Sequence, residues 1–165
     1  EDTPAPEAKA RPVVQRRRVP AVVHLTDATT IEGDLYAAVG EASPGGEPIL
    51  ERLNDPAERY LPLARGDRHF LLHKRNIRRV ELARVENPLE FGKSDAVRSF
   101  RVEIALDSGE SVRGLLESHE RAAHHRTLDH LNDSAAGFLR LVKGAAVVYV
   151  NHDHVVSVCD LGGPR

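Results

Sequence analysis

The chain has few of the residues on which disulfide, thiolate and base-stacking chemistry depend. Cys159 is the single cysteine among 165 residues, which excludes an intrachain disulfide and a cysteine-based metal site. Aromatic residues make up 4% of the chain, with no tryptophan, so few rings are present for stacking against nucleic-acid bases. No apolar run approaches the roughly 18 residues that a membrane-spanning helix needs.

Methionine is also absent, so we expect the sequence to begin after the start of the translated protein. Its beginning, rich in Pro, Ala and Glu, suits a mature exported protein and equally a linker after an unseen segment. The localisation is therefore unknown at this point, with the cytoplasm slightly favoured over export.

Enzyme signatures are missing as well. The chain has no glycine-rich phosphate loop, no nucleophile elbow and no metal-ligand helix motif. Cys159 and His154 lie five residues apart on a predicted strand and point to opposite faces, which argues against a Cys–His pair. The sequence therefore predicts a protein without catalytic activity and without a cofactor.

The net charge of −2 hides an asymmetry between the two halves of the chain. Residues 11–84 carry 13 Lys and Arg against 10 Asp and Glu, a balance of +3. Residues 85–165 carry 9 against 12, a balance of −3. Opposite halves can attract each other or present different faces to partners. They do not give the strong basic field of a general nucleic-acid binder.

The most informative feature that is present is an internal repeat. LERLNDPAERYLPL at 50–63 aligns without gaps on LDHLNDSAAGFLRL at 128–141, with 7 identities in 14 positions. Downstream, HKRNIRRV at 73–80 matches NHDHVVSV at 151–158. Self-similarity at a fixed period predicts a repeated architecture, here a tandem duplication of a unit of about 70 residues.

Each unit is predicted to contain about five short strands and one short helical turn. LTDATTIEGDL at 25–35 and LDSGESVRGLL at 106–116 both indicate a strand, a turn and a strand. ILERLND at 49–55 places its apolar residues on one side of a short helix that ends at Pro56. Three further strands follow in each unit. Short strands with tight turns favour a compact barrel that hides its sheet edges.

The chain divides into four segments. They are an extended Pro- and Arg-rich tail at 1–20, a first small β-barrel repeat at 21–84, a linker at 85–96 and a second small β-barrel repeat at 97–161. Four prolines forbid a continuous helix in the tail, and its charges resist burial. We expect an ordered tail of this kind to lie on a partner.

Two segments of the first unit resemble the Sm motifs. VHLTDATTIEGDL matches the first, a strand–turn–strand with the pattern Ile-x-Gly-x-Leu, and HFLLHKRNIRRVEL matches the second, with a short basic turn before Ile-x-x-Val. The chain is thus similar to Sm-like, SH3-type small β-barrels, including the bacterial RNA chaperones, and to uncharacterised bacterial domains. The resemblance implies a mainly β fold of two tandem small barrels. It also implies an RNA pocket lined by Lys74 and Arg75, whose second-unit counterparts are His152 and Asp153.

A second pattern lies between the helix and the strands of the second unit. Residues 132–137 fit the Asn-x-Ser-x-x-Gly pattern of cyclic-di-GMP-binding PilZ barrels. The alternative interpretation is structural, because Asn54 and Asp55 recur as Asn132 and Asp133 and such residues satisfy backbone groups in Asx turns.

The histidines provide the candidates for a metal site. His152 and His154, two apart on a predicted strand, would face the same way and bind Zn²⁺ if His124 or His125 approached. A histidine-rich surface loop explains the same residues, and Lys74 and Asn76 replace two of them in the first unit. No metal site is therefore predicted.

The favoured function is a non-catalytic protein-interaction or scaffold module, an accessory subunit that stabilises a larger protein assembly. The predicted partner-binding residues are all basic: Arg16, Arg17, Arg18, Lys74, Arg75, Arg78 and Arg79. The alternative is an Sm-like or PilZ-like protein that binds RNA or a nucleotide ligand through the same basic turn. Salt bridges from this turn to the acidic second unit are a third interpretation. Membrane contact is expected only through a partner or an upstream segment.

Overall fold

The structure is a computed structural model that describes residues 16–38, 48–82, 98–118, 127–133 and 137–162. The described residues form a mainly β protein, as the sequence predicts. Ten antiparallel strands build one sheet, and two helices of seven residues each flank it.

The first unit contains five strands, one helix and a 3₁₀ turn. These are β1 (Arg16–Leu25), β2 (Thr30–Ala38), α1 (Pro48–Asn54), β3 (Tyr60–Arg65), β4 (Arg68–His73), the 3₁₀ turn Lys74–Asn76 and β5 (Ile77–Leu82). In β3, Leu61 and Leu63 are buried, whereas Tyr60 and Arg65 at its ends are exposed. Leu61 and Leu63, two positions apart, lie on the face of the strand that packs in the core.

The second unit repeats the same order of elements. These are β6 (Arg98–Leu106), β7 (Ser111–Ser118), α2 (Thr127–Asp133), β8 (Phe138–Lys143), β9 (Ala146–Asn151), the 3₁₀ turn His152–His154 and β10 (Val155–Asp160). From β3 to β5, every element has its counterpart 78 residues later, from β8 to β10. Residues of these elements that lie 78 positions apart are called equivalent below.

All ten strands belong to one open sheet in the order β10-β6-β7-β8-β9-β5-β1-β2-β3-β4. The two units meet where β5 pairs with β9, an antiparallel ladder that we call the junction. In this ladder Val80 lies opposite Tyr149, and Leu82 lies opposite Val147. Among the described strands, β4 and β10 are the ends of the sheet and have one neighbour each.

Each unit has its own cluster of buried apolar side chains. The first cluster includes Ile49 and Leu53 of α1, which pack against buried residues of β1 to β5. It also includes Phe138 and Tyr149, which belong to the second unit. The second unit therefore contributes large side chains to the core of the first, and the junction is part of both folds.

Strand β1 begins earlier than the predicted tail allows. Its ladder with β2 runs from Arg16 to His24, so the last five residues of the segment 1–20 belong to the sheet. The ladder with β5 starts only at Ala21. At Pro20 the strand therefore has a neighbour on one side, where a missing backbone N–H is tolerated. Residues 1–15 lie outside the described part of the chain.

The prediction of a strand through His152 and His154 is wrong. Both residues lie in a 3₁₀ turn, where the Asn151 side chain accepts a hydrogen bond from the backbone N–H of Asp153. In the first unit the His73 ring nitrogen accepts from the N–H of Arg75 in the same way. A side chain at the residue before each turn therefore makes the same local contact in both units.

Candidate interaction site

Lys74, the first residue of the basic turn, is buried in the structure. Its ammonium group donates hydrogen bonds to the carbonyl oxygens of Arg52 and Asp55, at the end of α1. Each of these oxygens also accepts a backbone N–H, from Asp55 and from Glu58, so the ammonium is a second donor at the end of the helix, where a cation is favourable. Burial lowers the pKa of this ammonium, and the carboxylates of Glu58 and Asp55 act in the opposite direction. Lys74 thus holds α1 to the turn.

Arg78 and Arg79 of β5 form ion pairs with the second unit. The Arg78 Nε donates to Asp107 Oδ1 at 2.7 Å, and an Nη of the same guanidinium donates to the backbone of Leu25. Arg79 contacts Glu110 at 3.3 Å and also pairs with Glu81 of its own strand. The interpretation as salt bridges to the acidic second unit is therefore confirmed for these two residues.

His154 joins the two units through a second contact and is held by Asp107 of its own unit. His154 Nδ1 lies 2.6 Å from Asp107 Oδ2, and its Nε2 lies 2.7 Å from the backbone oxygen of Arg75. Hydrogen bonds from His154 and then from Arg78 lower the pKa of the Asp107 carboxyl. Both ring nitrogens of His154 are therefore engaged, Nδ1 within its own unit and Nε2 with the first unit.

The metal-site candidates do not come together in the described residues. His124 lies outside them, and His154 is used at the junction. No group of His, Cys, Asp and Glu side chains in the described ranges is arranged to hold a metal ion. Cys159 is exposed and carries a free thiol.

The remaining basic candidates lie in two places, with three arginines in β1 and one in the turn before β5. Arg16 and Arg17 lie in the β1 ladder with β2. The Arg18 side chain is exposed, lies over the ring of Tyr36 and approaches Asp34 at 3.9 Å. The side chain of Arg75 is exposed at the tip of the basic turn. That these seven residues bind a partner stays a prediction.

Asn54 and Asp55 satisfy backbone groups, as the structural interpretation predicts. Asp55 Oδ1 accepts from the N–H of Ala57 in an Asx turn. Asn54 Oδ1 accepts from the N–H of Phe138 at 2.8 Å, across the junction to β8. Residues 134–136, which complete the PilZ-like pattern, lie outside the described residues.

Apolar side chains mark both ends of the sheet. On the β4 side, Leu71 is 69% exposed and Tyr60 of the adjoining β3 is 51% exposed. On the β10 side, Val156 is 68% exposed and Leu161, just after the strand, is 40% exposed. We call β4 and β10, with these four residues, the free edges. A flat apolar edge strand is a ready template for pairing with another chain.

The free edges were missed by sequence reasoning, which concentrated on charge. A signal was present in the repeat, because Tyr60 aligns with Phe138 and Leu71 with Tyr149. Large apolar residues thus recur at positions that one unit buries and the other exposes. The pattern of apolar and polar residues within one strand cannot show this difference in burial, because burial depends on which other strand pairs with it.

Neither helix in the described part of the chain is long and apolar enough to cross a membrane. Comparison with known proteins finds no family model, no curated protein and no solved structure that matches the chain.

Proposed function

We propose that the protein is a non-catalytic interaction module, an accessory subunit that joins a larger protein assembly through its two free edges. The observation that carries this function is the apolar character of both sheet ends, with Leu71 on β4 and Val156 on β10 largely exposed. Strand addition at such an edge gives affinity through backbone hydrogen bonds and specificity through alternate side chains.

Each five-strand unit is, in this proposal, a small barrel of the Sm-like type, curved around its own core. Two separate clusters of buried residues, one per unit, support this description. Three of the basic residues in and after the turn then have a structural function, because Lys74, Arg78 and Arg79 all have partners within the chain. Protein contact through the edges is favoured over RNA contact for the same reason, since Arg75 is the one exposed side chain among the four basic residues Lys74, Arg75, Arg78 and Arg79.

The test is native purification of the wild-type chain and of Leu71→Lys, side by side, from the source cells. We expect the wild type to co-purify with a defined set of proteins at fixed stoichiometry, and the variant to lose them. Ala145→Lys, which adds the same charge to an exposed turn away from the free edges, is the matched control.

Two results would contradict this function. One is co-purification that is the same for the wild type and Leu71→Lys. The other is an excess of absorbance at 260 nm over 280 nm in the purified sample. Since the chain has three tyrosines and no tryptophan, bound nucleic acid would dominate its spectrum. A salt-sensitive complex of that kind would favour the RNA alternative.

A further inference from the structure

The junction inside the chain is a template for contact between chains. It pairs β9 of the second unit with β5 of the first. The strand equivalent to β9 is β4, and the strand equivalent to β5 is β10. These are the two strands at the ends of the described sheet. The molecule therefore exposes both halves of an interface that it also contains in assembled form.

The side chains that β4 and the adjoining β3 would contribute to a contact between chains are exposed. Their equivalents on β9 and β8 are buried. Tyr149 and Phe138 are 0% and 4% exposed, and both lie in the core of the first unit. Their equivalents are Leu71 and Tyr60, which keep their apolar character although neither is covered. The residues at the junction are apolar because a strand covers them. Apolar residues at the equivalent positions of the free edge are explained in the same way if a strand covers that edge too.

The β10 side, which would pair with β4, shows the same difference between a covered residue in one unit and an exposed one in the other. Leu50 of α1 packs partly buried against the first core, whereas Leu128 of α2, which aligns with it in the sequence repeat, is 61% exposed. Together with the free edges, Leu128 completes the set of large apolar residues that are exposed in the described chain. Tyr60 and Leu71 lie on the β4 side, and Val156 and Leu161 lie on the β10 side. Leu128 belongs to the β10 side as well, since the hydroxyl of the preceding Thr127 donates to Asp160 of β10.

We infer that copies of this chain join head to tail, with β4 of one copy pairing antiparallel with β10 of the next. This inference rests on the proposed function and names the partner at the same edges as a second copy. In the register of the junction, Leu71 lies opposite Val158, and His69 lies opposite Asp160. The pairing is thus apolar in its middle and places a basic ring against a carboxylate at one end.

Charge favours the same arrangement. The balance of +3 over residues 11–84 and −3 over residues 85–165 places a basic unit of one copy against an acidic unit of the next. Such a contact is heterologous, so repeated copies form a ring if the rotation closes and a filament if it does not. A limiting size indicates a ring, and continued growth with concentration indicates a filament.

Light scattering of the full-length chain over a wide concentration range tests the assembly itself. We expect the wild type to assemble, Leu71→Lys to be monomeric, and Ala145→Lys to behave as the wild type. Leu71 is exposed in the single chain, so its substitution leaves the fold intact, which circular dichroism verifies. A wild type that is monomeric at every concentration would overturn the inference.

Cysteine trapping tests the register. In a Cys159→Ser background, Leu71→Cys with Val158→Cys is compared under mild oxidation with Leu71→Cys and Ser157→Cys, whose second thiol points to the other face. We expect disulfide-linked multimers from the first pair only, and equal cross-linking of both pairs would contradict this register. If the chain stays monomeric while Leu71→Lys still loses other proteins in native purification, self-association fails and the proposed function stands. If neither occurs, both fail.

Discussion

Val80 of the first unit lies directly opposite Tyr149 of the second, and both side chains are fully buried. The tyrosine belongs to a strand of one unit and to the core of the other. A strand pairing that also carries a core side chain couples the two units, because separating them would expose a large ring and open a core. We therefore expect the units to unfold together.

The first prediction concerns this ring. Tyr149→Ala removes a large buried side chain and leaves a cavity, so we expect it to lower the free energy of unfolding by about 3–5 kcal/mol. Leu71→Ala, at the equivalent exposed position, is the matched control and should change the unfolding free energy of the monomer by about 0.5 kcal/mol or less. Urea denaturation followed by circular dichroism measures both, and equal effects would contradict the burial difference.

The second prediction concerns the ion pair between Arg78 and Asp107. Their side chains meet at 2.7 Å, with the guanidinium 14% exposed and the carboxylate 40% exposed. A double-mutant cycle of Arg78→Met and Asp107→Asn should give a coupling energy of about 0.2–1 kcal/mol, as partly exposed pairs do. This energy should fall as the salt concentration rises. A zero coupling energy at low salt would show that charge does not hold the units together.

Local features of the chain could be predicted from its sequence because they have local causes. Alternation of apolar and polar residues predicted β1 and β2, and Pro56 predicted the end of α1. The repeat alignment placed the corresponding elements of the second unit without further argument. Glycines and short polar turns lie between these elements in both units.

The parts that sequence reasoning missed depend on distant residues. Lys74 looks like a surface cation in its own segment, but the carbonyl oxygens to which it donates hydrogen bonds lie 19 and 22 residues earlier. Pairing of β5 with β9 depends on which edges meet, and no residue in either strand specifies this alone. Charge asymmetry did indicate attraction between the units, which the Arg78–Asp107 pair now locates.

The third prediction separates a structural role for Lys74 from partner binding. Lys74→Met keeps the apolar stem but removes the ammonium from the carbonyl oxygens at the end of α1. We expect a loss of about 1–3 kcal/mol in the free energy of unfolding. Arg75→Met, at the exposed neighbour, should leave stability unchanged in the same denaturation experiment. Loss of a partner with unchanged stability in Lys74→Met would restore the partner-binding interpretation.

The fourth prediction concerns the close approach of β2 and β3. A Cβ atom on Gly33 would lie 2.6 Å from the backbone oxygen of Ala64 and 2.5 Å from Cδ2 of Leu63. Because a backbone oxygen cannot rotate away, Gly33→Ala should shift the ladder and lower the free energy of unfolding by about 1–3 kcal/mol. Glu32→Ala, on the same strand but exposed, is the control. A stable Gly33→Ala protein would mean that β3 moves away at little cost.

The last prediction concerns the pH dependence of stability at His24, which lies between Thr30 of β2 and Arg79 of β5. Burial and then the Arg79 guanidinium lower the pKa of His24 below its usual 6.5, although the carboxylates of Glu81 and Glu110 oppose this. The unfolded chain therefore binds the proton more readily than the folded one.

The contribution of His24 to the free energy of unfolding should accordingly be greatest above pH 6.5. It should fall as the pH drops from 6.5 towards the lowered pKa of the folded state. His24→Gln removes the titrating group, so its unfolding free energy should vary less with pH across this window. Urea denaturation at closely spaced pH values from about 5 to 7.5 measures both proteins. If the two slopes coincide, His24 is as easily protonated in the folded chain as in the unfolded one, and the environment assigned to it between β2 and β5 is incorrect.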